Sequence, residues 1–304
     1  MSAVRSGVRS LRRPGFLGPA CILLITIVAV PSADAQGKGK GNGHGSPPSR
    51  NSLPSPTVID HPGGSTTPFA WLDDANLLAP GAVSFGISVL HWQGTGVSET
   101  DVPVFDVAMG VMPRVQVGAM IPHVVGSTDP TGPAGGLGTT YFGGKFAVVD
   151  DTKQGFKLAV SPMMEVLGAG VVEVLGPDVG RVHWGLPVSL ESDLGSTRLY
   201  GAGGYFSRGI WFVGGGVGVQ ATPRVTVSMA FSHAWAPSPT ADVTANLRNE
   251  LSGSAAYAVT PHVGVFGSIG RTIATDDASG AGTTIGGGVT FFVSAPTTAI
   301  NRDR

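Results

Sequence analysis

The chain opens with a segment built to be exported and continues as short alternating strands, without a second apolar stretch of helix length. Arg5, Arg9, Arg12 and Arg13 form a cationic stretch, an apolar run extends from Phe16 to Val30, and Ala33-Asp34-Ala35 precedes Gln36 as a cleavage site. These are the three parts of a secretory signal, so residues 1–35 are expected to be removed. The apolar run is too short, and too soon interrupted by Pro31, to be a stable transmembrane helix. Yet the mean hydropathy of the whole chain is +0.22. An exported, mildly apolar chain without a spanning helix has one membrane-compatible option, a closed β-barrel, because hydrocarbon offers no partner to an open sheet edge.

Composition narrows the choice. Glycine contributes 47 of 304 residues without a three-residue period, which excludes collagen and weakens any helical reading. Removing the signal takes away four Arg and one Asp and leaves a formal charge of −4, with no basic patch to bind nucleic acid. Cys21, the one cysteine, lies inside the signal, so the mature protein of about 270 residues has no disulfide and no thiol nucleophile.

Residues 36–67, beginning QGKGKGNGHGSPPSR, are rich in Gly, Ser, Pro and Lys and are expected to form a disordered tether. The following PFAWLDDANLLAP (68–80) reads as a short helix or a plug at the mouth of a barrel. Barrel strands are expected over 81–93, 102–112, 114–126, 138–150, 155–167, 179–193, 196–207, 209–220, 223–235, 248–259, 261–272 and 281–293, with residues 294–304 as a tail. Most are long enough for a tilted strand to cross a bilayer, and the count is even, as in single-chain bacterial barrels. GVMPRVQVGAM (110–120), VQATPRVTVSM (219–229) and YAVTPHVGVFG (257–267) share a Pro followed by Arg or His and Val-x-Val. Proline cannot donate to a central ladder, so Pro113, Pro223 and Pro261 mark turns. Short linkers alternate with longer ones at 94–101, 127–137, 168–178, 236–247 and 273–280. In outer-membrane barrels the short set is periplasmic.

Within the strand after Pro223, Val225, Val227, Met229, Phe231 and Trp235 share one parity, and Thr226, Ser228, Ala230, Ser232 and Ala234 the other. Period two sends these sets to opposite faces. Alternation alone suits a soluble sandwich as well as a membrane barrel. The aromatic residues favour the barrel: Trp92, Trp184, Trp211 and Trp235 fall at long-loop strand ends, as an interfacial belt requires, and Phe291 and Phe292 at the opposite end. The inward face then carries Asp106, Gln116, Lys145, Lys157, Glu165, His183, Glu191 and Glu250. These side chains either line a pore or pair with one another and fill it.

The stretch from Val104 to Gly168 resembles the outer-membrane barrels grouped with the phenol meta-cleavage-pathway transporters. MGVMPRVQVGAMIP (109–122) matches that family's hairpin, GGLG (135–138) and FGGKFAVVDD (142–151) its next strand, and Ser161-Pro162-Met163-Met164 with Leu167-Gly168 part of a downstream element. Thr139 stands where the family usually has Asp. The resemblance implies a barrel with a transport role and no defined substrate residues. Thr283 to Val293 resembles the C-terminal signal read by barrel-insertion machinery, although eleven residues follow it.

Signals for chemistry are few. Ser232 and His233 are adjacent, so their side chains point to opposite faces of a strand and cannot form a nucleophile–base pair. His91, His123, His183 and His262 show no metal-ligand spacing, and Asp150-Asp151 and Asp276-Asp277 read as solvated loop carboxylates. The sequence therefore predicts an all-β, antiparallel up-and-down barrel of about twelve strands in the outer membrane. It is expected to be monomeric or weakly oligomeric, to pass or bind small solutes, apolar ones among them, and to use no catalytic residue, metal or cofactor. A closed-lumen barrel with surface-interaction loops is the alternative, and a lipid-acting enzyme a third. Arginine at Val227 or Val265 should impair membrane insertion, whereas arginine at Ser228 should be tolerated. Band position on gels before and after boiling reads this out, and equal tolerance at all three sites would contradict the assigned faces.

Overall fold

Alternation between large apolar residues and small or polar ones, punctuated by Pro and Gly turns, produces strands and no helix among the described residues. The computed structural model describes residues 74–96, 98–128, 135–151, 155–168, 180–207, 209–237, 247–275 and 280–293. All of them belong to the unit Ser52–Arg304. The expected signal, tether and tail, and the Asp276-Asp277 pair, lie outside the described residues.

The elements are β1 (Val83–Gln93), β2 (Ser98–Met112), β3 (Val115–Ser127), β4 (Gly136–Leu137), β5 (Thr140–Asp151), β6 (Phe156–Val160), β7 (Met163–Val166) and β8 (Val182–Leu194). They continue as β9 (Thr197–Phe206), β10 (Ile210–Thr222), β11 (Val225–Trp235), β12 (Leu247–Thr260), β13 (Val263–Thr275) and β14 (Thr283–Val293). The two-residue β4 pairs with β3 at His123 and Val124. β6 and β7 are halves of one wall strand, since both lie between β5 and β8 in the same register. The described wall thus has twelve antiparallel strands, joined in chain order and closed where β1 pairs β14 from Val83↔Val293 to Gln93↔Thr283. Closure leaves no edge.

The twelve expected strands are all present, and their boundaries move by a few residues. The largest shift is at β2, which starts at Ser98 and shortens the expected 94–101 loop to residues 94–97. Glu99 and Asp101 are poor strand formers but pair, with Thr100 between them, with the end of β1, where Thr100 Oγ1 bonds His91 Nδ1 at 2.8 Å. Pro113, Pro223 and Pro261 all sit in tight turns, and Arg114 takes a positive φ of 67° beside the first of them.

The outer face is apolar: Phe85, Ile87 and Val89 of β1, Val227, Met229 and Phe231 of β11, and Val265 and Ile269 of β13 all stand exposed. Phe85 stacks against Phe105 and Phe291 on neighbouring strands. The opposite parity is buried or half-buried and largely polar, with Ser232 and Ser252 buried and the half-buried Ser228 bonding Ser254 at 2.6 Å. An apolar outer face and a polar inner one suit a wall surrounded by hydrocarbon. Among the described residues, a sizeable apolar cluster inside joins Phe206, Phe212, Ala202 and Ala234, with Met163 and Ile210 packed on it. Truncating Phe206 should therefore cost about 3–5 kcal/mol, the usual loss for a buried ring. Phe231→Ala, on the lipid face, should cost clearly less. Urea unfolding of the detergent-solubilised barrel measures both, and equal losses would contradict the packing described.

Candidate functional site in the barrel lumen

Because adjacent strands keep their register, residues of one parity on facing strands meet inside the barrel. All eight sequence-predicted lumen residues take the inward parity, opposite to exposed neighbours such as Val107, Val117, Phe146, Trp184 and Leu190. The structure gathers them into separate groups. Gln116, Lys145, Lys157 and Glu191 converge in the half of the lumen near the short turns. Glu165 pairs across strands with His183, and its Oε1 accepts a hydrogen bond from Tyr141 at 3.2 Å. Glu250 stands with Arg248, whose Nη2 lies 3.6 Å from Oε2. Asp106 faces a cavity of about 120 Å³ whose wall also includes Gln116, Tyr141, Lys145, Ser161 and Ser189.

The first group is organised by a stretch of chain that precedes the barrel. After residue 82 the chain enters β1 at the short-turn end, and the residues before it turn into the lumen. Gly81 donates to Gly110 O at 2.7 Å and Gly110 to Ala82 O at 3.0 Å, which pins the entry. Leu78 N donates to Gln116 Oε1 at 2.8 Å. Asn76 Nδ2 donates to both oxygens of Glu191, at 2.8 and 3.0 Å, and its Oδ1 accepts from Lys157 Nζ at 2.5 Å. Lys145 Nζ donates to the carbonyls of Asp74 and Asn76 at 3.1 and 3.3 Å. Arg198 Nη1 reaches Asp74 Oδ2 at 2.9 Å. Lys157 also bonds Glu191 and Asp193, each at 2.9 Å. Ala75 is 1% exposed and Glu191 is fully buried, so this end of the lumen is filled. Charges taken from water this completely persist only when paired, and here each carboxylate meets a cation or an amide.

Sequence reasoning missed Asp74, Asn76, Asp193 and Arg198 as members of the group. Arg198 and Tyr200 share the inward parity of β9, so alternation would have found them. Nothing in Asp74-Ala75-Asn76 signals an extended lumen segment, because its partners are distant wall residues.

The four tryptophans divide. Trp184, Trp211 and Trp235 face outward, and Trp211 pairs with Trp235 across β10 and β11. Tyr205 bridges Trp184 and Trp211 at ring separations of 5.6 and 4.9 Å, and His233 stacks on Trp235 at 5.1 Å. Trp92 does not belong to this belt. It pairs with Thr284, which is 2% exposed, and the Arg248 guanidinium lies 6.0 Å from its ring centre inside the lumen. The even parity of β1 is the inward one, and position at a strand end does not reveal parity. His233 and Ser232 take opposite faces. Ser232 is buried inside, and His233 Nδ1 bonds Asn249 Oδ1 at 2.8 Å outside, with Val213, Phe231 and Trp235 as its flanking neighbours in the ladder. Among the described residues no three His, Cys, Asp or Glu side chains are grouped to hold a metal ion.

Gly110 tests the path of the lumen segment. A Cβ there would collide with the carbonyl oxygens of Leu78 and Ala79. Gly110→Val should therefore displace residues 78–79 while leaving the wall paired, and raise steady conductance in planar bilayers above that of the parent protein. Unchanged conductance in a correctly folded variant would show that the segment does not obstruct the lumen.

No known protein family matches the chain, and no curated protein matches it in sequence. Among solved structures, an outer membrane channel from Pseudomonas putida F1 is similar, with a TM-score of 0.52 and 11% identity over 72% of this chain and 98% of that one. The NanC porin is similar with a TM-score of 0.49 and 10% identity, over 68% and 98%. Outer membrane phospholipase A from Escherichia coli is similar with a TM-score of 0.41 and 10% identity, over 72% and 93%. At these identities the likeness is one of fold. With its apolar outer face and closed wall, the protein has the fold of a membrane-spanning β-barrel, similar in architecture to the outer membrane channel from Pseudomonas putida F1.

Proposed function

We propose that this barrel is an outer-membrane channel for small solutes with a substantial apolar part, closed at rest by residues 74–79. The observation that carries this reading is the construction of the wall beside the lumen cavity. A lipid-facing cleft lined by Met109, Phe142, Pro162 and Met164 shares Gly118, Gly143 and Gly144 with that cavity. These three glycines carry no side chain, although Val107, Val117, Ala119 and Met163 also line both spaces and a Cβ on Gly144 would meet the Phe146 ring at 3.2 Å. The ladder is thin at the same place. Ser161 N donates to Pro187 O and Gly144 N to Pro162 O, but neither proline has an N–H to return the bond. Two neighbouring rungs are therefore half-made between β5, the β6–β7 strand and β8. A solute entering the lumen from the long-loop side can rest in the cavity and leave through this weak seam into hydrocarbon, without crossing the charged group at the short-turn end.

The dense pairing of Asp74, Asn76, Lys157, Glu191 and Arg198 favours a second reading, a structural barrel whose lumen never opens. Conductance and uptake separate the two. In proteoliposomes the parent protein should accelerate entry of a small apolar solute. Gly144→Leu should reduce that entry several-fold while leaving ion conductance through the Gly110→Val variant unchanged, because Gly144 faces lipid and not the lumen. Absence of both solute entry and ion current, in the parent and in Gly110→Val alike, would leave the closed-lumen reading.

A further inference from the structure

Lys145 belongs to two places at once. It lines the lumen cavity with Gln116 and Ser161, and its Nζ reaches back to the lumen segment. There the Asp74 carboxylate lies between two cations, with Oδ2 2.9 Å from Arg198 Nη1 and Oδ1 3.9 Å from Lys145 Nζ. Tyr200 fixes the Arg198 guanidinium from one side, at 5.4 Å from its ring centre. All three charged side chains are largely buried, with exposures of 11% for Asp74, 7% for Lys145 and 17% for Arg198. The neighbouring wall carboxylates are already matched: Lys157 bonds both Glu191 and Asp193. Withdrawal of Asp74 would remove an anionic partner from both Lys145 and Arg198, with Glu191 Oε2 remaining 4.0 Å from Arg198 Nη1, and leave that place at the end of a partly apolar cavity open to another carboxylate.

We propose that Asp74 occupies a carboxylate site built into the wall, and that the vacated site takes a solute carrying one carboxylate and an apolar body. This rests on the reading of residues 74–79 as a displaceable plug. Asp74 sets the geometry of the site: one oxygen on the Arg198 fork and the other toward the Lys145 ammonium, a pairing that is charge-assisted and sheltered from water. The apolar body follows from the rest of the cavity, which Ala108, Met120, Met163 and Pro187 line together with Gly143 and Gly144. Asp106 faces the same cavity. The plug and the solute then compete for one pair of cations, so binding of the solute's head group itself keeps the plug out.

Octanoate, with octanol as the neutral control, tests this on the full chain in planar bilayers. Asp74→Asn, which weakens the plug, should raise conductance, and octanoate added to that variant should block the current. Arg198→Gln added to Asp74→Asn should raise the half-blocking concentration on the order of tenfold, the usual consequence of losing one charge-assisted contact. Octanol should show no such dependence on Arg198. If Asp74→Asn opens the channel but octanoate blocks no better than octanol, or blocks the Arg198→Gln variant equally well, the carboxylate site is wrong and the plug stands. If Asp74→Asn and Gly110→Val both leave conductance unchanged, the plug and the site fall together. Gel migration before and after boiling shows whether each variant forms the barrel, and Lys145→Gln carries the same comparison should Arg198→Gln fail to insert.

Discussion

Hydrocarbon gives the peptide group nothing to bond with, and that constraint shapes the whole wall. Each N–H and C=O at membrane depth must find its partner on a neighbouring strand, so the sheet has to close, and β1 completes it against β14. Closure then fixes the side chains. One parity must face lipid and the other a narrow lumen, and a slip of one residue would exchange the two along a strand. The exposed Phe, Val, Ile and Leu residues and the buried Ser, Thr and charged residues are two consequences of one alternating backbone.

The lumen has its own requirement. Lys145, Lys157, Glu191, Arg198 and Glu250 stand on inward positions where water is scarce, and bare charges there would weaken the barrel. The chain preceding β1 answers this at one end by supplying Asp74, Asn76 and two backbone carbonyls. The result is a bonded network in which segment and wall stabilise each other. At the wall between β3 and β8 the requirement is relaxed: Pro162 and Pro187 withhold donors, and Gly118, Gly143 and Gly144 withhold side chains. Strength at the short-turn end and weakness at the seam together give the proposed route its direction.

Much of the fold was legible because its causes are local. Alternation gave the strands, and Pro113, Pro223 and Pro261 gave three turns whose positions hold. The parity of Val227 and Ser228 could be read from four residues on either side. Parity was harder to read at strand ends. Trp92 has the right residue type and the right height for an interfacial belt, but the even positions of β1 point inward, and only pairing with Thr284 reveals it. Tyr205 and His233 join the belt for the converse reason, Tyr205 being placed against Trp211 on the adjacent strand and His233 against Trp235 on its own strand. The early start of β2 at Ser98 was hidden because Glu99 and Asp101 are poor strand formers held by their partners. The lumen group was legible in its wall members and illegible in Asp74 and Asn76, whose contacts span 115 residues or more to Glu191 and Arg198. Sequence distance of that size leaves no periodic trace.

The two-faced wall is tested most directly by asking which tryptophans touch lipid. Variants retaining a single tryptophan, Trp211 in one and Trp92 in the other, with the remaining tryptophans replaced by phenylalanine, can be reconstituted into bilayers of brominated phosphatidylcholine. Quenching of Trp211 fluorescence, with Trp92 fluorescence unaffected, is the predicted result. Strong quenching of Trp92, or none of Trp211, would contradict the assignment of lumen and lipid faces on which the account rests.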